Sequence, residues 1–325
     1  MLNLAWILKV TASSWNTEEL DRLDLMVPAI VLLSKSTDFE TSVEAATGLR
    51  NLAAVKNAAI ARRVLDLGGT DAAVALSIRA LDSDWTHPNK KSITKQIAMA
   101  LALLTTNNPD QCECAFKAGL LSVLPRLLAL SDAIEIMSTL ANLLILGTES
   151  QVLEVLTPTT LSAITSRIIG TRYRRQAIRS KCVHVLLVAA TKGRDTNSHP
   201  IMSALYEGGL VRSIVAMLDT DYLDTDGVHA CNALEAVLQY EQDHPETSPG
   251  FRAALDALID ADGGEFPGAL TSAAERDSTV EALVAKFSLM SHDDDDDDEL
   301  PSPSRPTAIS FAVPTDLSLP PHAAE

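Results

Sequence analysis

Aromatic residues make up only 4% of this 325-residue chain, and cysteine occurs four times. Burial therefore falls to Leu, Ala, Val and Ile within a 46% apolar composition, which is ample for a large core and excludes a disordered-type chain. Cys112, Cys114, Cys182 and Cys231 are too few to frame a chain this long with disulfides. That points to a reducing compartment, the cytoplasm with the nucleus as the alternative. No apolar run approaches the roughly 18 residues of a membrane span; the stretch 97–104 is among the longest. The opening Met1 to Leu8 has only a faint likeness to a secretory signal, because it lacks a basic start and Lys9 interrupts it. Basic residues are outnumbered 26 to 43, for a net charge of −17, and this argues against a nucleic-acid partner, whose phosphates call for clustered Lys and Arg.

Catalytic signatures are missing as well. The seven histidines are scattered, and none stands in a nucleophile-elbow, zinc-protease or phosphate-loop context. Cys112-x-Cys114 has no second ligand pair nearby, and Cys182-x-His184 reads as helix packing. The acid-rich stretch before Gly227 fails as a calcium loop, since it would put Tyr222 first and Ala233 twelfth, where acids are required. The chain is expected to be no enzyme and to hold no cofactor or metal. His229 reads as a helix-surface residue.

What is present is helical periodicity almost throughout, as in Val43, Ala46, Leu49, Leu52 or Ile97, Leu101, Leu104. Short polar or Gly/Pro groups break it: Gly68-Gly69, Asn107-Asn108-Pro109, Gly119, Thr157-Pro158, Ser198-His199-Pro200 and Gly208-Gly209. The order between breaks repeats. A helix stops at glycine, a shorter apolar helix follows, then a polar gap, then a longer Ala/Leu-rich helix. Gly119 lies 50 residues after Gly69 and Gly209 another 90, which makes a period of about 45 and matches stacked two- or three-helix units. Glycine suits the stop because it enters the left-handed region without steric cost. One unit alone leaves an apolar face exposed, so neighbours must stack.

The stretch Glu44-Ala45-Ala46-Thr47-Gly48-Leu49-Arg50-Asn51-Leu52, running on to Gly68-Gly69, resembles the armadillo repeat family, and Leu140-Ala141-Asn142-Leu143 repeats its Leu-x-Asn-Leu element. The resemblance covers roughly residues 1 to 290 and implies an all-α right-handed solenoid of three-helix units, about six of them. Aligned third helices place Trp6, Thr47, Met99, Ser138, Val183 and Asn232 together. The expected domains are a superhelix over 1–291 and a disordered tail over 292–325, where the acidic run Asp293 to Glu299 precedes a Pro/Ser-rich segment. Leu4 to Leu8 reads as a third helix without its first two. That is expected of a cap or, preferably, of a fragment of a longer array, and its open apolar end invites self-association.

The resemblance also implies a binding scaffold whose third helices line a concave groove for extended peptides. In the import receptors of this family, Trp and Asn form a ladder along that groove. Here the ladder is broken: Val10 stands where Asn would follow Trp6, and Thr47 and Ser138 stand where Trp would precede Asn51 and Asn142. Asn51 and Asn142 are the candidates for holding a peptide backbone. Arg172, Arg175 and Arg179 share one helical face within the only strong basic concentration, together with Arg167, Arg174 and Lys181, and are candidates for an acidic segment or phosphate. The acidic tail is a candidate competitor for them. The expected function is a non-enzymatic scaffold holding a segment of another protein, extended or acidic. The alternatives are a chaperone or chaperone cofactor, akin to myosin chaperones or heat-shock exchange factors, and a nuclear transport adaptor.

Overall fold

The computed structural model describes residues 2–3, 5, 20–54, 58–82, 90–106, 108–129, 134–170, 176–218 and 225–261. The chain divides into two units, Met1–Lys286 and Phe287–Glu325, and every described residue lies in the first. Trp6, Arg172, Arg174, Arg175 and the expected tail fall outside the described residues. Among the described residues every regular element is an α-helix.

The helices run in threes. The first two helices whose full extent is described are a pair, α1 (Leu20–Ser34) and α2 (Phe39–Ala54). Then come α3 (Ala58–Asp66), α4 (Gly69–Asp82) and α5 (Lys90–Thr105), followed by α6 (Pro109–Lys117), α7 (Leu120–Ala129) and α8 (Ile134–Leu146). The next units are α9 (Glu149–Val155), α10 (Pro158–Gly170) and α11 (Gln176–Asp195), then α12 (His199–Glu207), α13 (Leu210–Leu218) and α14 (Thr225–Asp243), and α15 (Phe251–Ala261) packs on α13 and α14. Third helices touch in series, α2 on α5, α5 on α8, α8 on α11 and α11 on α14. Second helices do likewise from α1 through α4, α7 and α10 to α13. This serial stacking is the all-α solenoid that the repeat period predicts.

Local chemistry fixes the boundaries. Gly68, Gly119 and Gly209 stand between first and second helices at φ of +73°, +87° and +75°, where a side chain is strained. The positive φ thus falls on Gly68, with Gly69 beginning α4. The third such junction does without glycine. Leu156 ends α9, and the Thr157 hydroxyl accepts from the Thr160 amide at 3.2 Å to start α10, with Pro158 in its first turn. The first helices α6, α9 and α12 begin on side-chain caps. Asn108 accepts from Gln111 N at 3.1 Å and Ser198 from Ile201 N at 3.3 Å, while Thr148 and Gln151 form a reciprocal capping box.

The core is aliphatic. Leu49, Leu101, Leu140, Leu186 and Leu234 occupy one buried station in five successive third helices. Polar stitches run in parallel along the rows. First helices are joined by Arg62 to Asp110 at 3.1 Å, Gln151 to Glu113, and Ser198 to Glu149. Second helices are joined by Arg79, which donates to the carbonyls of Ser36 and Thr37 at 2.8 and 2.9 Å, and by Arg126, which donates to Leu81 O at 2.6 Å. Each of these arginines thereby satisfies carbonyls at or just beyond the C-terminal end of the preceding second helix.

Candidate functional site

The leucine station sets the register of the third-helix row. Two residues before each leucine stand Thr47, Met99, Ser138, His184 and Asn232, all half-buried. On α11 this place belongs to His184, whereas the alignment from sequence puts Val183 there; Val183 is fully buried. One turn further along lie Asn51, Leu103, Asn142 and Val188, again half-buried, with Ala236 buried on α14. Ile145, on the same face of α8 as Ser138 and Asn142, is 48% exposed. Third helices thus share a mixed face of amides, hydroxyls, imidazole and aliphatic groups.

The two candidate asparagines are both engaged within the array. Asn142 Nδ2 donates to Ala102 O at 3.0 Å, to Thr105 Oγ1 at 3.1 Å and to Thr106 Oγ1 at 3.3 Å, tying α8 to the end of α5. Asn51 Oδ1 accepts from Arg50 Nε at 3.0 Å and from Arg50 Nη2 at 2.6 Å. Arg50 Nη1 reaches across to Gln96 Oε1 on α5. Lys95, beside Gln96, pairs with Glu135 of α8 at 3.7 Å. Of the expected arginine trio, only Arg179 is described, and it is buried on α11 with 8% exposure.

At the other end of the row the rings of His184 and His229 lie 5.5 Å apart, joining α11 to α14. Burial, and after it the neighbouring His229 and Lys181, push the His184 imidazole down to about 4, so it is neutral at physiological pH. The thiols are quiet: burial pushes Cys112, Cys114 and Cys182 up to about 12, helped at Cys114 by Asp71. Among the described residues no group of three His, Cys, Asp or Glu side chains is placed to hold a metal ion. No helix among them is long and apolar enough to cross a membrane.

Sequence reasoning missed Arg50, Gln96 and His184 as members of this face. The signal for Arg50 was its place beside Asn51 in Leu49-Arg50-Asn51-Leu52. His184 was obscured by apolar residues on both sides.

No family model and no curated protein matches the chain. Solved structures do. A designed armadillo repeat protein superposes with a TM-score of 0.58 at 20% identity, covering 72% of this chain and 92% of its own. Computationally designed armadillo repeat proteins for modular peptide recognition give 0.57 at 20% identity, covering 71% and 91%. A designed armadillo repeat protein in complex with the peptide (KR)4 gives 0.56 at 21% identity, covering 72% and 90%. With the three-helix units, the glycine junctions and the continuous third-helix row, these likenesses establish an armadillo-like repeat fold for this chain.

Proposed function

We propose that the third-helix face from α2 to α14 is a docking surface for an extended segment of another protein, and that the chain works as a non-enzymatic scaffold. The observation that carries this reading is the recurrence of half-buried, chemically mixed side chains at one station in five successive helices. Packed helices lie about 8–10 Å apart and an extended chain advances about 3.3 Å per residue, so each station meets every third residue or so of a threaded segment. The similar design solved with (KR)4 supports the same mode of use. A preference for basic peptides does not carry over, because Thr47, Met99 and Ser138 stand where stacking Trp residues would be needed.

Asn51 and Asn142 are the backbone-directed groups in this proposal, with Ile145, Leu103 and Val188 supplying apolar contact. Asn142 spends its donors on α5, so it meets a ligand amide through Oδ1. Arg179 is buried and forms no part of the proposed contact surface.

The test is a selection of random displayed peptides against the protein, followed by two variants. Ile145→Arg puts a charge on the groove face of α8 and is expected to abolish capture. Ile169→Arg, at a residue 54% exposed on the second-helix row, is expected to leave capture unchanged. Equal sensitivity of the two sites, or loss only with Ile169→Arg, contradicts the proposal.

A further inference from the structure

Cations in this chain have two customary uses. Some form ion pairs, as Arg62 with Asp66 and Asp110, Lys117 with Glu113, and Arg252 with Asp256. Others satisfy backbone carbonyls, as Arg79 and Arg126 do, together with Lys35 on Leu67 O and Lys192 on Ile145 O. Arg50 does neither. Its three bonds go to the neutral amide oxygens of Asn51 and Gln96. Among the described residues no carboxylate pairs with it, although the chain holds 43 acids to 26 bases.

The arrangement fixes the guanidinium without neutralising it. Asn51 takes the Nε edge and Gln96 takes one Nη1 hydrogen, so the plane is held from two helices. Of the five N–H donors, one on each terminal nitrogen remains, the number a carboxylate accepts in a bidentate pair. Half-burial already removes part of the hydration shell, and it alone holds the Arg50 pKa below its ordinary value. Side-chain entropy and some desolvation are therefore met in advance of any ligand. Arg50 also stands on the proposed groove, between the Thr47 station of α2 and Gln96 of α5.

The geometry points to Arg50 as a carboxylate-reading position: we infer that the segment bound along the third-helix row places an Asp or Glu side chain against Arg50, held by its two remaining terminal N–H groups. This rests on the groove reading above and adds its chemistry at one place. The net charge of −17 does not oppose it at contact range, because screening extends over only about 8 Å at physiological salt, whereas a half-buried pair is screened less.

The experiment selects a random displayed peptide library on wild-type protein and on Arg50→Gln, with circular dichroism confirming that the variant stays helical. Wild type is expected to enrich Asp or Glu at one fixed register, and Arg50→Gln to lose that preference while keeping the preferences at other registers. Changing that one acid to its amide in an enriched peptide is expected to weaken binding to wild type about tenfold, equivalent to about 1.4 kcal/mol. Should Arg50→Gln fail to fold, the Arg50 Nε signal of 15N-labelled wild type decides: it is expected to shift with the acidic peptide and to stay in place with the amide version. Enriched peptides without a fixed acid, an acid preference that survives Arg50→Gln, or an Nε signal indifferent to the acid each overturn the inference while leaving the groove reading intact. A library that yields no peptide overturns the groove reading and this inference with it.

Discussion

The first- and second-helix rows and the third-helix row use polar side chains differently. On the first two rows polar groups are consumed in holding units together: Gln111, fully buried on α6, donates to Ala61 O at 2.8 Å and also bonds the Thr70 hydroxyl, and Arg79 and Arg126 close helix ends. On the third row Arg50, braced by Asn51, reaches Gln96 of α5 and Asn142 ties α8 to α5, all three remaining half-buried, and donors on Arg50 remain unspent. On the proposed reading, one solenoid separates cohesion from recognition by row, since every unit presents the same edge to the same neighbour.

Substitutions on the two kinds of row should therefore part stability from binding. The largest expected effect on the first rows is Gln111→Leu, which strands a buried carbonyl and hydroxyl and is expected to cost about 2–4 kcal/mol, read as a drop in denaturation midpoint. Any peptide affinity measured on the surviving folded protein is expected to be unchanged. Gly209→Ala comes next. A Cβ there meets nothing within 4 Å, so the cost of about 1–2 kcal/mol comes from the backbone at φ +75° alone. Gly208→Ala differs in cause, because its Cβ would lie 2.7 Å from Leu161 Cδ1 and must displace a second-helix residue of the preceding unit. On the third row, Asn142→Ala is expected to cost about 1 kcal/mol of stability and to weaken peptide capture more than Gln111→Leu does.

Smaller effects are expected from titration and from surface charge. An unfolded histidine takes up its proton near pH 6.5, whereas folded His184 holds off until about 4. Unfolding therefore binds a proton between those values. The stability associated with neutral His184 is fully present above pH 6.5 and is lost as pH falls toward 4. His184→Gln is expected to flatten that slope in denaturation midpoints taken from pH 7 to pH 4. The smallest effect belongs to Asp110→Asn. Its partner Arg62 is 63% exposed and the pair lies on the surface, so the change is expected to stay within about 0.5 kcal/mol of zero.

Most of the solenoid was legible because its punctuation is chemical. Gly119 and Gly209 mark positive φ, Asn108 and Ser198 mark helix starts, and Leu-x-Asn-Leu marks third helices. The α9–α10 junction departs from the pattern because Thr157 and Pro158 perform by capping what glycine does elsewhere. The face was less legible. Cys182, Val183 and Val185 surround His184 with apolar residues, so periodicity alone does not fix the phase of α11 to within one residue. Arg50 carries no motif of its own; its significance comes from Gln96, 46 residues away, and from the carboxylate that is missing beside it.

The proposed groove assigns recognition to the third-helix row. Hydrogen–deuterium exchange with and without a selected peptide tests it directly. Added protection is expected along α2, α5, α8, α11 and α14, with α4, α7, α10 and α13 unchanged; protection confined to the second-helix row would contradict it.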